Sequence, residues 1–228
     1  MEELNAAPIN PLPAAVWVLA LPMIAVEVAL GLASNGYLGG AEGVGWRAQA
    51  YQTLGFAPDQ LRAMFGGAGY PATELLRLVS YPFVHGGPQS AIFAVVILLA
   101  LGKYVGEVFS FWAVLTVYFA ATAVAAVAYT LIPPTHYALI GAFPGDYGLI
   151  GAFSYILWGR LAGTGRKQWR AFALIGVLMI WQIVFGLIPG GIDWTWVAEL
   201  AGFCAGYLLS FVVSPGGWSR LLGRIRQR

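Results

Sequence analysis

Six apolar runs, at about 13–35, 87–108, 111–132, 144–161, 169–188 and 194–213, constrain this chain more than any other feature. A helix that crosses a bilayer needs about 20 mostly apolar residues, and it must satisfy its own backbone hydrogen bonds. Hydrophobic residues make up 59% of the 228 and charged residues 10%, against about 25% charged in a soluble domain. The tails outside the runs are too short to fold alone. The reading is an all-α membrane protein, a bundle of six transmembrane helices forming a single domain over 1–228, with no soluble appendage.

The basic residues orient the bundle. With six spans, Lys103, Arg160, Arg166, Lys167, Arg170, Arg220, Arg224, Arg226 and Arg228 fall on one side, and only Arg47, Arg62 and Arg77 on the other. The richer side is expected to be cytoplasmic, which places both termini inside. The loop 36–73, the loop around His136 and the turn 189–193 are then external. The net charge of +2 reports topology and gives no support for nucleic-acid binding, because the cations are juxtamembrane rather than gathered on one face.

Residues 1–12 carry Glu2 and Glu3 but no Lys or Arg, so the charged start of a signal peptide is missing and the first run is expected to remain as a span. The single Cys204 excludes an intrachain disulfide or a Cys-rich metal site. Amid small residues on the last run, it is expected to pack inertly. No N-x-S/T sequon is present, which fits a bacterial inner membrane.

The one long connection, 36–73, mixes Gly36, Gly39, Gly40, Gly43, Gly45, Gly66, Gly67 and Gly69 with Trp46, Tyr51, Phe56, Phe65 and Tyr70. A flexible linker would be Gly-rich without the aromatics. This mixture predicts a compact loop at the membrane interface, with a helix over 58–65 after Pro58 and Asp59. On the last run Ala198, Gly202 and Gly206 recur every four residues, a small-residue stripe suited to close helix contact. Gly141, Gly145 and Gly148 form a comparable notch on the fourth.

Three motif regions carry a resemblance. Gly141-Ala142-Phe143-Pro144-Gly145-Asp146-Tyr147-Gly148 resembles the G-A-S-G-x-x-F/Y-G of rhomboid intramembrane proteases. Ala198-Glu199-Leu200-Ala201-Gly202-Phe203-Cys204-Ala205-Gly206 resembles their A-H-x-x-G-x-x-x-G. Glu74 to Gly87 is similar to E-x-W-R-x-x-T-x-x-F-x-H-G-G, with Arg77 and His85 in motif positions and Leu76 in place of Trp. The Trp46-Arg47 pair lies too far upstream of His85 to be that motif.

The resemblance implies a rhomboid-like six-helix domain with a structured first loop, and it marks where the chemistry departs. Phe143 stands at the nucleophile's position and Glu199 at the base's. Ser90 and Ala94 stand where a His and an Asn help to stabilise the oxyanion, which needs donors aimed at the developing charge. Pro144 replaces a Gly whose amide would face the reacting carbonyl, and proline has no N–H. Gly141, Gly148, Gly202, Gly206, Arg77 and His85 keep motif identities. The expectation is a rhomboid-like pseudoprotease that recognises transmembrane segments of client proteins and governs their stability, assembly or trafficking, as inactive relatives such as derlins imply. No cofactor or metal is implied.

Two other readings stay open. Carboxylates inside spans are functional by default, and Glu27, Asp146 and Glu199 raise ion- or proton-coupled transport, although no His or basic residue lies at their depth. An active serine protease with a non-standard site would need Ser154, about 16 Å beyond Phe143 along the helix. His85 is expected to be buried and hydrogen-bonded, and His136 solvated. For Glu199 the expected partners are the Tyr147 hydroxyl or the backbone near Gly145. A client helix is expected to dock between the second and fifth spans, against Trp181, Phe185 and the polar Gln182, with Phe172 and Met179 beside them.

Overall fold

The computed structural model describes residues 11–67, 69–132, 136–162, 164–186 (side chains to 182) and 194–217. The turn 189–193, the basic tail from Arg220 and the Phe185 side chain, all assigned roles above, lie outside the described residues.

The architecture is all-helical. The first span is α1 (Ala14–Ser34). The long connection carries α2 (Gly40–Gly43), α3 (Trp46–Leu54), α4 (Pro58–Phe65) and α5 (Ala72–Ser80), followed by a short 3-10 turn, Tyr81–Phe83. Then come α6 (Pro88–Gly106), α7 (Phe111–Thr130), α8 (Phe143–Leu161), α9 (Ala173–Gly186) and α10 (Thr195–Val213). The loop helix expected over 58–65 is α4, started by a proline in its first turn, where a missing N–H costs nothing.

Among the described residues four helices, α1, α6, α7 and α10, are long and apolar enough to cross a membrane. The fourth and fifth runs of the sequence are α8 and α9, and they fall outside that set. The reason for α8 is its position. It lies in the middle of the bundle with 11 of its 19 residues buried, so protein rather than lipid surrounds it and Asp146 and several glycines are tolerated. As described, α9 spans 14 residues.

The main core joins α1, α6, α7 and α8 through residues such as Val16, Leu19, Met23, Leu98, Val114 and Leu149. A second cluster lies under the long connection, where Phe56, Leu61 and Met64 pack on Tyr81, Tyr129 and Leu139. Phe56 and Leu139 exchange backbone hydrogen bonds of 3.0 and 2.8 Å, an isolated antiparallel bridge that hooks the connection to the approach of α8.

The α10 stripe packs where the small-residue spacing predicts. A Cβ on Gly202 would run into the Pro144 carbonyl, and one on Gly206 into the Gly148 carbonyl. The notch it enters differs from the expected one. Gly151 joins Gly148 on that face, Gly145 instead lies against the Tyr118 ring of α7, and Gly141 precedes the helix with φ +91°. Cys204 is exposed, contrary to the packing expected. It stands two residues from both Gly202 and Gly206, and at 100° per residue that is the opposite side of the helix.

Glu27 shows how an intramembrane carboxylate is accommodated. Its two oxygens accept from Arg47 of α3 at 3.0 and 2.7 Å. Bidentate pairing of this kind is the strong form of the interaction, and the carboxylate raises the Arg47 pKa further. The Arg47 set aside as motif thus proves central to how the connection is anchored.

Candidate functional site

The site is built around the first turn of α8. Gly141 adopts a left-handed φ of +91°, a conformation that favours glycine, and its amide donates to the Tyr81 carbonyl at 3.1 Å. The Tyr81 hydroxyl in turn donates to the Thr122 carbonyl of α7 at 3.0 Å. The chain therefore reaches α8 braced by the 3-10 turn behind it. Pro144 lies in the first turn, where its fixed φ suits a helix start. Phe143 is partly buried against the main core and lies near the position a Gly141 side chain would occupy, as does the His85 ring.

From α10, Glu199 is buried and faces this turn. Gln182 of α9 donates to its Oε2, and Tyr147 of α8 lies close enough to feel its charge. Tyr147 stands beside Glu199, as the sequence suggested. Gln182, expected to be offered to a guest helix, is turned inward to Glu199, while Trp181 beside it is 62% exposed. Phe172 and Met179 also face inward, against Tyr147, Ile175 and Phe203.

Several polar groups here have no partner among the described residues: both Asp146 carboxylate oxygens, the Tyr118 hydroxyl, Gln182 Oε1, the Ser154 hydroxyl and both His85 ring nitrogens. Asp146 is fully buried. It lies in the first turn of α8, where the helix dipole favours negative charge. His85 is buried as expected but its ring is not hydrogen-bonded. Its carbonyl instead accepts from Arg47 at 2.9 Å and Tyr51 at 3.1 Å. Burial pushes the imidazole pKa below its ordinary value, with Glu27 acting against that shift and Arg47 with it. The other histidine, His136, is exposed and pairs through Nδ1 with Asp59 at 2.9 Å, so it is solvated as read.

The remaining motif residues are positioned as follows. Arg77 donates to the carbonyls of Gln52 and Thr53 and pairs with Glu74 at 3.3 Å, which fastens α5 to α3. Ser90 and Ala94 lie in the first two turns of α6, and Ala94 is completely buried in the main core. Among the described residues no group of three or more His, Cys, Asp and Glu is arranged to hold a metal. Sequence reasoning missed the partnerless Tyr118 hydroxyl, and no signal short of the packed bundle points to it.

No curated protein matches the chain. A family model does: that of the Rhomboid domain, over residues 72–216. This stretch runs from α5 to the end of α10 and takes in the first turn of α8, Glu199 and the glycine stripe. The match covers well over half of the 228 residues, and the chain belongs to the rhomboid family.

Proposed function

We propose that this rhomboid-family membrane protein is a non-proteolytic member, which crosses a bacterial inner membrane six times with both termini cytoplasmic and binds transmembrane segments of client proteins. The observation that carries the reading is the first turn of α8. Phe143 and Pro144 occupy it, and the carboxylate opposite them is engaged by Gln182. Hydrolysis of an amide requires an activated nucleophile with a base in hydrogen-bond reach. Among the described residues the Ser154 hydroxyl is buried without a partner, and neither histidine ring bonds a serine.

The client would approach between α6 and α9. Val177, Ile180 and Trp181 on α9 are each more than 60% exposed, as is Ile92 on α6, with Phe93 and Val96 at 56%. In lipid such contacts rest on packing rather than hydrophobic drive. Photo-crosslinkers at 177, 180 and 181 are expected to capture discrete membrane proteins, and those at 18 and 21 on α1 only lipid. Equal capture from both faces refutes lateral docking.

The pure protein is expected neither to cleave a rhomboid substrate nor to react with a serine-directed phosphonate. Labelling that disappears in Ser154→Ala would establish a protease. The double substitution Phe143→Ser with Glu199→His is expected to remain inactive, since Pro144, Ser90 and Ala94 still withhold oxyanion donors.

Ion- or proton-coupled transport is the second reading, and one observation favours it: Asp146 is fully buried with neither oxygen hydrogen-bonded among the described residues. In liposomes carrying an internal pH dye, a transporter would dissipate an imposed gradient, and Asp146→Asn would stop it. Absence of flux in the intact protein removes this reading.

A further inference from the structure

At the basic end of the bundle the last turns of α6, α8 and α10 converge. Arg160 donates to the Tyr104 hydroxyl at 2.6 Å, Tyr155 and Ser214 share a hydrogen bond of 3.1 Å, and Gln168 of the following loop donates to the Trp158 carbonyl at 3.3 Å. Because α6 and α10 are both apolar enough to cross, their ends mark the level at which hydrocarbon gives way to headgroups. Tyr and Trp favour that level.

A cavity of about 510 Å³ opens there. Its walls include Phe109, Ile156, Trp158 and Phe211, with the Tyr155 and Phe211 rings in edge contact at 4.8 Å. Arg160 supplies its cation. The guanidinium lies 5.0 Å from the centroid of the Tyr104 ring. It commits one N–H to the Tyr104 hydroxyl and pairs with no carboxylate among the described residues. A guanidinium has five N–H donors, so most of them remain available. Lys103, Arg166, Lys167 and Arg170 belong to the same end, where Glu107 is the exposed carboxylate among the described residues.

We infer that this cavity binds one anionic phospholipid, its phosphate on Arg160 and the upper part of an acyl chain among Phe109, Ile156 and Phe211. The planar fork of arginine matches phosphate oxygens, and basic pockets between helix ends are suited to lipid headgroups. An inorganic anion would use the cation and leave the aromatic walls idle. A guest helix is too large for the space. The lipid is the occupant that uses both. The site is at the far end of α8 from Phe143 and is independent of whether the protein cleaves anything.

Brominated lipids quench nearby tryptophans, and Trp158 lines the cavity. The full-length protein in non-ionic detergent is titrated with brominated phosphatidylglycerol and with phosphatidylcholine of the same chains, and the Trp158→Phe titration is subtracted to isolate Trp158. The glycerol lipid is expected to quench Trp158 at about tenfold lower concentration than the choline lipid. Arg160→Gln is expected to erase that preference, and Arg160→Lys to keep part of it. If Arg160→Gln does not fold, Ile156→Phe, which fills the cavity and retains the charge, is expected to weaken quenching by both lipids. Equal quenching by the two lipids overturns the proposal, and so does a preference that survives Arg160→Gln or a cavity-filling variant without effect. Full competition by soluble glycerol phosphate would also overturn it, making the site one for a small anion.

Discussion

Helices α9 and α10 both lean on α8, but by different means. Along α10 the contact is backbone to backbone: Gly202 meets the Pro144 carbonyl, Gly206 meets Gly148, and Gly151 of α8 meets Phe203. On α9 the contact is made by side chains, with Ile175 buried and Leu174, Leu178 and Met179 partly so, while Val177, Ile180 and Trp181 are exposed. Backbone contacts have no rotamers to rearrange. Side-chain contacts do, and Val177 and Ile180 of α9 are largely exposed. The difference separates a wall held by backbone contacts from one held by side chains, and lateral entry of a client would require the second to give way.

The strongest way to break this comparison is to place a side chain in the fixed seam. Gly206→Val is expected to cost 3 kcal/mol or more, on the order of severe overpacking, read as loss of a monodisperse, thermally cooperative species in detergent. The matching α9 changes, Val177→Ala and Ile180→Ala, are expected to stay within about 0.5 kcal/mol. Comparable losses on the two helices would remove the distinction.

Removing one partner of the Glu27–Arg47 pair comes next. Glu27→Gln leaves a partly buried guanidinium unpaired and is expected to cost about 2 kcal/mol, seen in the melting temperature and in faster proteolysis of the long connection. Ile175→Ala on the side-chain wall of α9 is expected to cost about 1–2 kcal/mol, at the low end of core truncations because lipid supplies no hydrophobic drive.

Glu199→Gln is a smaller perturbation. The amide keeps the shape and can still accept from Gln182, so stability is expected to change by less than about 1 kcal/mol. A large loss would reveal a carboxylate that must be charged.

The smallest effect is in pH. Burial holds the His85 pKa below its ordinary value, so the unfolded chain binds the proton more readily. The His85 contribution is complete above about pH 6.5 and is lost as pH falls towards the folded pKa. The melting temperature is expected to fall between pH 7.5 and 5.5, and His85→Gln to flatten that slope. An unchanged slope would mean that another group is responsible.

Much of the frame was legible in the sequence because membrane helices declare themselves by length and apolarity. Each expected run has a helix, α4 stands where Pro58 and Asp59 placed it, and the four-residue spacing of Ala198, Gly202 and Gly206 located the seam. The departures come from surroundings that periodicity does not encode. Asp146 and the α8 glycines are tolerated because other helices cover them. Arg47 reaches Glu27 across 20 residues of chain through a long side chain whose direction only the folded connection sets. Gln182 resembled a polar contact left over for a guest, and only the packed positions of α9 and α10 show that Glu199 claims it.

The central burial of α8 has a consequence for synthesis. Its glycine faces and Asp146 are covered partly by α10, which begins 34 residues after Leu161. At about 5–20 residues per second, the nascent chain holds these surfaces uncovered for roughly 2–7 s. During that interval the least apolar long helix of the bundle must wait in or beside the insertion machinery for its neighbour. A truncation ending before Thr195 would make the wait permanent, presenting membrane quality control with an exposed acid and open backbone grooves.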